Sequence, residues 1–423
     1  MSLIKDLLIH AVSVNVSDVH IKPEQVPFFR VSGNLSESGF ESLSGESVGR
    51  IVEDIIPPQL RERFETEHEV DFSHFEEGAG RFRVNCFMSQ GYPSIAMRYV
   101  KSAIPTVEEL RIPTQIKSLA ETRRGIVLLS GTTGSGKSTT LAAIIGEINR
   151  SQRCRIITVE DPVEYVFVDD QSVITQREIG LDTLSFQNSL KHVLRQDPDV
   201  ILIGEMRDRT SIRTALLAAE TGHLVMSTVH AGTSDLAIPR ILDMFPGDEQ
   251  DQIRMGLAGN LYAIICQRLM EDIYGAPIPA VEIMFNTPTV RKLLQNDKIE
   301  VLAKAIETGR DDGMQTFNQS IYDLIQKGII SEDVGMMHAT NPESLRMNLQ
   351  GIFLDEGRRI LRAVSLAAHY SGHRVLAIPA TAEARNEAQT HRYAHHVATD
   401  PLAAINKMAT GEWNPPPGSL LIL

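Results

Sequence analysis

Residues Gly125-Ile126-Val127-Leu128-Leu129-Ser130-Gly131-Thr132-Thr133-Gly134-Ser135-Gly136-Lys137-Ser138 run from a short apolar stretch into the pattern G-x-x-x-x-G-K-S. The order strand, glycine-rich loop, helix is that of a phosphate-binding loop. The glycines at 131, 134 and 136 let the backbone turn with no Cβ penalty, so that successive N–H groups point at phosphate oxygens where the next helix begins. Thr132, Thr133 and Ser135 fill the loop, and Lys137 is placed to reach the β- and γ-phosphates. The hydroxyl of Ser138 is the expected protein ligand of Mg²⁺, an ion that takes oxygen donors and keeps several waters. Thr139 and Thr140 lead into Leu141-Ala142-Ala143-Ile144-Ile145, a buried helix stripe. A nucleoside triphosphate with Mg²⁺ is therefore the expected ligand.

The remainder of the composition narrows the class. A chain of 423 residues has room for two or three domains with real cores. No apolar run approaches a membrane span and the N-terminus does not resemble a signal peptide, so a soluble intracellular protein is expected, with no direct membrane insertion. The three cysteines, Cys86, Cys154 and Cys266, lie far apart in apolar surroundings and read as core thiols rather than a disulfide framework or a zinc knuckle. A formal net charge of −13 argues against non-specific nucleic-acid binding, and helicase-like readings lose weight with it.

Three regions follow along the chain. Residues 1–103 mix an amphipathic helix, Ile4 to His10, with strand-like stretches at Val26 to Val31 and Gly80 to Phe87, an α+β module. The turn chemistry of Lys101 to Thr106 marks the joint. From 106 to 348 short apolar runs, Val127 to Ser130, Arg155 to Val159, Val200 to Ile203 and Leu224 to Thr228, alternate with helical patterns. That alternation indicates an α/β domain with a parallel sheet covered on both faces. The extension 349–423 is expected to be partly disordered, ending in an exposed tail at Asn414-Pro415-Pro416-Pro417-Gly418. Its histidines, His369, His373, His391, His395 and His396, have no acidic or cysteine partners at ligand spacing and are not read as a metal site.

Hydrolysis requires acids near the loop. In Ile157-Thr158-Val159-Glu160-Asp161-Pro162-Val163-Glu164-Tyr165 the carboxylates of Glu160, Asp161 and Glu164 crowd the exit of a strand, the edge at which open α/β sheets bind ligands. One of them is suited to orient the attacking water or take its proton and another to hold a partner loop; a solvated acidic turn is the competing reading. The run Asp197 to Asp208 is an apolar strand reaching an acid, Glu205, one step beyond the usual aspartate of a Walker B strand. Arg207 and Asp208 beside it read equally well as a surface salt bridge. His230 closes the run Ala218 to Thr233 and reads either as a sensor of the γ-phosphate or, as strand-end histidines more often are, as a hydrogen-bonded structural group. His223 is a weaker candidate.

Together the phosphate loop, the acidic run ending in Tyr165, the stretch Arg195 to Asp208 and the stretch Thr221 to His230 resemble the Walker A, Asp box, Walker B and His box of the secretion ATPase superfamily (GspE family). The type IV pilus retraction ATPases, the PilT and PilU group, are the nearest in look. Ser17-Asp18-Val19-His20 and Gly313-Met314-Gln315-Thr316-Phe317 also resemble that group, and the likeness covers roughly residues 1–350. The resemblance implies a PAS-like N-terminal domain joined to a RecA-like P-loop ATPase core, assembled as a homo-hexamer in the bacterial cytoplasm at the inner-membrane pilus machinery. It implies ATP and Mg²⁺ as cofactors, Glu164 as general base, Glu205 organising metal and water, and His230 in the site. Arginines of the N-terminal domain, matched here by Arg81, Arg83 and Arg98, are implied to bind nucleotide across subunits.

The function so implied is an ATP-hydrolysing motor that powers pilus retraction, hence twitching motility, by acting on an inner-membrane platform protein, with a second retraction ATPase as a further partner. An accessory PilU-like ATPase and a type II or type IV secretion ATPase moving another macromolecule are the alternatives. Two departures bear on them. The tetracysteine zinc motif usual in assembly and type II secretion ATPases is absent, which favours retraction. The Ala-Ile-Arg-Asn-Leu-Ile-Arg stretch usual in retraction ATPases is replaced by Thr289-Val290-Arg291-Lys292-Leu293-Leu294-Gln295, which keeps the apolar spacing and loses the last arginine.

Overall fold

The computed structural model describes residues 3–31, 33–100 and 103–350, and beyond them only 374–376, 396–397 and 420–422. Residues 1–340 form one compact unit and 341–423 a second. In the second unit three short strands, Arg374–Leu376, Leu420–Ile422 and His396–Val397, pair side by side in that order. The expected tail at Asn414 to Gly418 and four of the five histidines of this region, His369, His373, His391 and His395, lie outside the described residues, as does the side chain of His396.

The first unit holds two sheets. The N-terminal one has six strands, β1 (Asp18–Ile21), β2 (Phe28–Val31), β3 (Asn34–Glu37), β4 (Glu69–Glu76), β5 (Gly80–Ser89) and β6 (Tyr92–Val100), in the order β3-β2-β1-β6-β5-β4 and antiparallel throughout. Alternation decides its two faces. Phe82, Val84 and Cys86 of β5 are buried against helices α1 (Leu3–Ser13) and α2 (Gly45–Ile55), in one cluster with Leu7, Leu8, Val48 and Val52. The intervening Arg81 and Arg83 stand on the other face. Ser44 caps α2 by accepting a hydrogen bond from the N–H of Ser47. This is the PAS-like α+β module.

The second sheet has seven strands, β7 (Gly125–Ser130), β8 (Arg155–Glu160), β9 (Val173–Glu178), β10 (Val200–Ile203), β11 (Leu224–Val229), β12 (Leu261–Glu271) and β13 (Pro277–Phe285), in the order β13-β12-β7-β11-β10-β8-β9. Every neighbouring pair is parallel except β12–β13. The four strands expected from apolar runs are β7, β8, β10 and β11, the centre of the sheet. The antiparallel edge departs from the expected all-parallel sheet. Its cause is a tight turn: Asp272 Oδ1 accepts from the N–H groups of Tyr274 and Ala276, both at 2.9 Å, so β13 returns without a crossover helix.

Strand β7 is buried at all six positions. Val127 and Leu129 pack on Leu141, Ile144, Ile145 and Ile148 of helix α3 (Lys137–Ser151). Ile126 and Leu128, on the opposite face by alternation, are equally buried, and helix α4 (Arg209–Glu220) contacts the strand. Asp208 caps α4, its Oδ1 accepting from Ser211 N at 2.9 Å, while Arg207 pairs with Glu205 at 2.7 Å. These two residues therefore do not make the salt bridge with each other that their adjacency suggested. Cys86 and Cys266 are core thiols, whereas Cys154 is half-buried beside Ser172 Oγ at 3.2 Å. Truncating Leu129 to Ala should cost about 2–5 kcal/mol of stability by opening a cavity beside α3, measurable as a lowered midpoint of denaturant unfolding.

Candidate active site

The fold delivers the ends of β7, β8, β10 and β11 to one edge of the sheet. The loop after β7 begins with Gly131 at φ 145°, where a Cβ would lie 2.5 Å from the carbonyl oxygen of Gln267 and 2.6 Å from Ser135 Oγ. Only glycine fits there. Gly136, at φ 89°, hands the chain to α3. Lys137 is buried and its Nζ donates to the carbonyl oxygens of Gly131 and Thr132, each at 2.9 Å. Burial lowers its pKa from the ordinary value, against the opposing charges of Glu205 and Glu164. The loop is braced from outside. Ser130 Oγ donates to the carbonyl of Ala231 and accepts from its N–H, and Gln267 Nε2 donates to Thr140 Oγ1 at 3.0 Å. Thr139 Oγ1 lies 2.9 Å from the hydroxyl of Tyr165. Ser135 Oγ, by contrast, is buried with no partner.

The acids separate by environment. Glu160 is buried, and its Oε1 accepts from Thr158 Oγ1 at 2.6 Å and from Gln176 Nε2 at 3.2 Å. Burial raises its pKa, and its hydrogen bonds to Thr158 and Gln176, away from solvent, make it a brace. Asp161 is also raised by burial, opposed by the charges of Arg207 and Arg83. Glu164 is exposed at the mouth. Glu205 is mostly buried, with Arg207 Nη2 at 2.7 Å and His230 Nε2 at 3.2 Å. Burial pushes its carboxyl up, but the hydrogen bond and charge of Arg207, with those of His230, more than offset this and hold it below the usual range. His223, the weaker candidate, bonds instead to the carbonyl of Ala218 and to Thr221 at the start of β11.

One cleft of about 490 Å³ gathers Thr133, Gly134, Gly136, Lys137, Ser138 and Thr139 with Glu164, Glu205, Arg207 and His230, and with Arg83 and Arg98 of the N-terminal sheet. The two arginines are direct cross-strand partners on β5 and β6. Like charges placed opposite each other repel, so this pair favours an anion between the sheets. Asp18 of β1 offsets part of the repulsion by holding Arg98 Nε at 2.9 Å. Arg81 stands apart from the cleft lining; its Nη2 is bound to Glu178 at 2.7 Å.

A buried central strand running into a glycine-rich anion nest, with Glu205 just past the end of β10, one strand beyond β11 in the same sheet, defines a P-loop ATPase with a RecA-like core. The chain belongs to the type II/IV secretion system protein family, which matches residues 1–276. It is 39% identical over 341 residues to the type IV pilus retraction ATPase PilT of Pseudomonas aeruginosa, covering 81% of this chain and 99% of that protein. It is also 39% identical over 335 residues to the type IV pilus ATPase PilU of the same organism, covering 79% and 88%. The crystal structure of the pilus retraction motor PilT with bound ADP superposes with a TM-score of 0.75 at 36% identity, over 80% of this chain and 98% of that one.

Two residues at the site escaped the sequence. Gln267 lies on β12 just past the apolar residues Leu261 to Cys266 and outside every motif, and Glu178 ends a polar strand with no acidic cluster around it. The glycine at 131 offers a direct check on the loop. Gly131→Ala should weaken ADP binding by about tenfold or more, the equivalent of roughly 1–3 kcal/mol of backbone strain, as read by titration with a fluorescent ADP.

Proposed function

We propose that this protein is a hexameric ATP-driven motor that powers type IV pilus retraction, and with it twitching motility, by acting on an inner-membrane platform protein. The observation that carries the reading is the single cleft that joins the phosphate loop to Glu164, Glu205, Arg83 and Arg98, in a chain covering 99% of the PilT protein it resembles. Residues 1–103 and 106–348 would be its two working domains. Among the described residues no helix is long and apolar enough to cross a membrane, so the coupling would run through the platform protein.

The loop from Gly131 to Thr139 would hold the triphosphate, with Lys137 released from its carbonyl partners to the phosphates. Ser138 and Glu205 line the same cleft and offer the hydroxyl and carboxylate oxygens that Mg²⁺ prefers. Mg²⁺ draws most of its ligands from phosphate and water, so one or two protein oxygens would suffice. Bound there, Mg²⁺ would neutralise charge developing on the phosphate oxygens. Glu164, exposed at the mouth, would orient the attacking water and take its proton, and His230, against Glu205, would report whether the γ-phosphate is present. Arg83 and Arg98 suit the phosphate charge because a planar guanidinium can donate two parallel hydrogen bonds. Loss of that charge would loosen the N-terminal sheet and let it shift against a neighbouring ATPase core.

An accessory ATPase is the second reading, favoured by the equal identity to PilU. Steady-state hydrolysis across a protein concentration series, with assembly recorded in the same samples, separates the two. A self-sufficient motor should turn over once hexamers form, and Glu164→Gln should lower kcat by about 10²–10⁴-fold with ADP binding retained. Nucleotide binding without turnover by the unaltered protein would support the accessory reading instead.

A further inference from the structure

Glu178, the last residue of β9, is 1% exposed and satisfies both of its carboxylate oxygens with groups from two sheets. Oε1 accepts from the N–H of Ser73 at 3.0 Å, and Oε2 from Ser73 Oγ at 2.7 Å and Arg81 Nη2 at 2.7 Å. Oε2 also accepts from the N–H of Val163 at 3.1 Å. Ser73 and Arg81 belong to β4 and β5 of the N-terminal sheet, whereas Val163 belongs to the acidic loop after β8. The next residue after Val163 is Glu164. Two residues beyond Arg81, on the same face of β5, is Arg83, which lines the nucleotide cleft. The carboxylate is itself anchored, since Glu178 N donates to Asp182 Oδ2 at 2.8 Å and Ile179 N to the carbonyl of Glu160 at 2.9 Å.

We infer that Glu178 is a positioning residue that sets Glu164, in the loop after β8, and Arg83, on β5, in register with a shared γ-phosphate. A buried carboxylate has about four acceptor positions, and here four donors converge on it, one on Oε1 and three on Oε2, so the acidic loop and the N-terminal sheet are located from one point. A shift of either donor set would move the water-orienting carboxylate relative to the arginine that meets the same phosphate. Small displacements of such groups cost rate far more than binding. The inference rests on the reading of Glu164 as the group that orients water.

Glu178→Gln tests it, because the amide puts a donor where the carboxylate accepts and removes the charge facing Arg81. At a protein concentration where sedimentation shows the unaltered assembly, kcat should fall about ten- to a hundredfold, with the ADP dissociation constant changed by no more than about threefold. An unchanged kcat, or kcat and ADP affinity falling together, would overturn the positioning role. If Glu178→Gln does not fold, Arg81→Met, which removes one of the four donors, is read in the same way: reduced kcat at unchanged ADP affinity supports the role and an unaltered kcat overturns it. Glu164→Gln is measured alongside. Full turnover there would sink the reading of Glu164 and the positioning role with it, whereas loss there without loss in Glu178→Gln would sink the positioning role alone.

Discussion

The rest of the molecule depends on strand β7 being sealed on both faces and stopped by a glycine. Each fully buried aliphatic side chain contributes about 1.5–3 kcal/mol, and β7 carries Ile126, Val127, Leu128 and Leu129 in succession. The strand cannot slide, since a one-residue slip would change which face each side chain meets. Its end is therefore a fixed point. The Gly131 backbone turns there against the carbonyl of Gln267 with no room for a side chain, and the loop and α3 begin from that point. A buried Lys137 curled onto the loop carbonyls and an unpartnered Ser135 hydroxyl leave the nest with polar groups that an anion can satisfy.

The second element of the site is electrostatic and comes from the other sheet. Arg83 and Arg98 stand opposite each other on the face of β5 and β6 that carries no hydrophobic core. Two guanidinium groups so close are unfavourable alone, and Asp18 offsets only one of them. On the ATPase side, Arg207 and His230 neutralise Glu205, and a third carboxylate, Glu160, is withdrawn into side-chain hydrogen bonds. The cleft thus keeps Glu164 exposed to water while Glu205 and Glu160 are engaged. That division of labour among carboxylates follows from burial and partners, not from their number in the motif.

Much of this was readable from the chain alone. The phosphate loop, the strands β7, β8, β10 and β11, and the acids at their ends are local patterns: an apolar run of strand length, a glycine that permits a turn, a carboxylate at a strand exit. Such signals survive because neighbours in sequence are neighbours in space. The same physics explains the gaps. Strands β12 and β13 escaped because a short apolar run such as Leu261 to Cys266 carries no period that distinguishes it from a buried helix segment, and their antiparallel edge depends on a turn organised by one aspartate.

By itself, then, the sequence determined the nucleotide-binding loop, the α/β class of the core and the identity of the acids that stand near it, since the loop and the acids are each encoded within a dozen or so consecutive residues and the class in the alternation of such short runs. Only the tertiary structure decided what each charged group does. It sent Arg81 to Glu178 and left Arg83 and Arg98 at the cleft, and it made Glu160 a brace and Glu164 an exposed carboxylate. It also joined Ser73, Arg81 and Val163 on a single buried glutamate, 105, 97 and 15 residues away in the chain. Partners at such separations leave no local pattern, because they meet only after both sheets have packed.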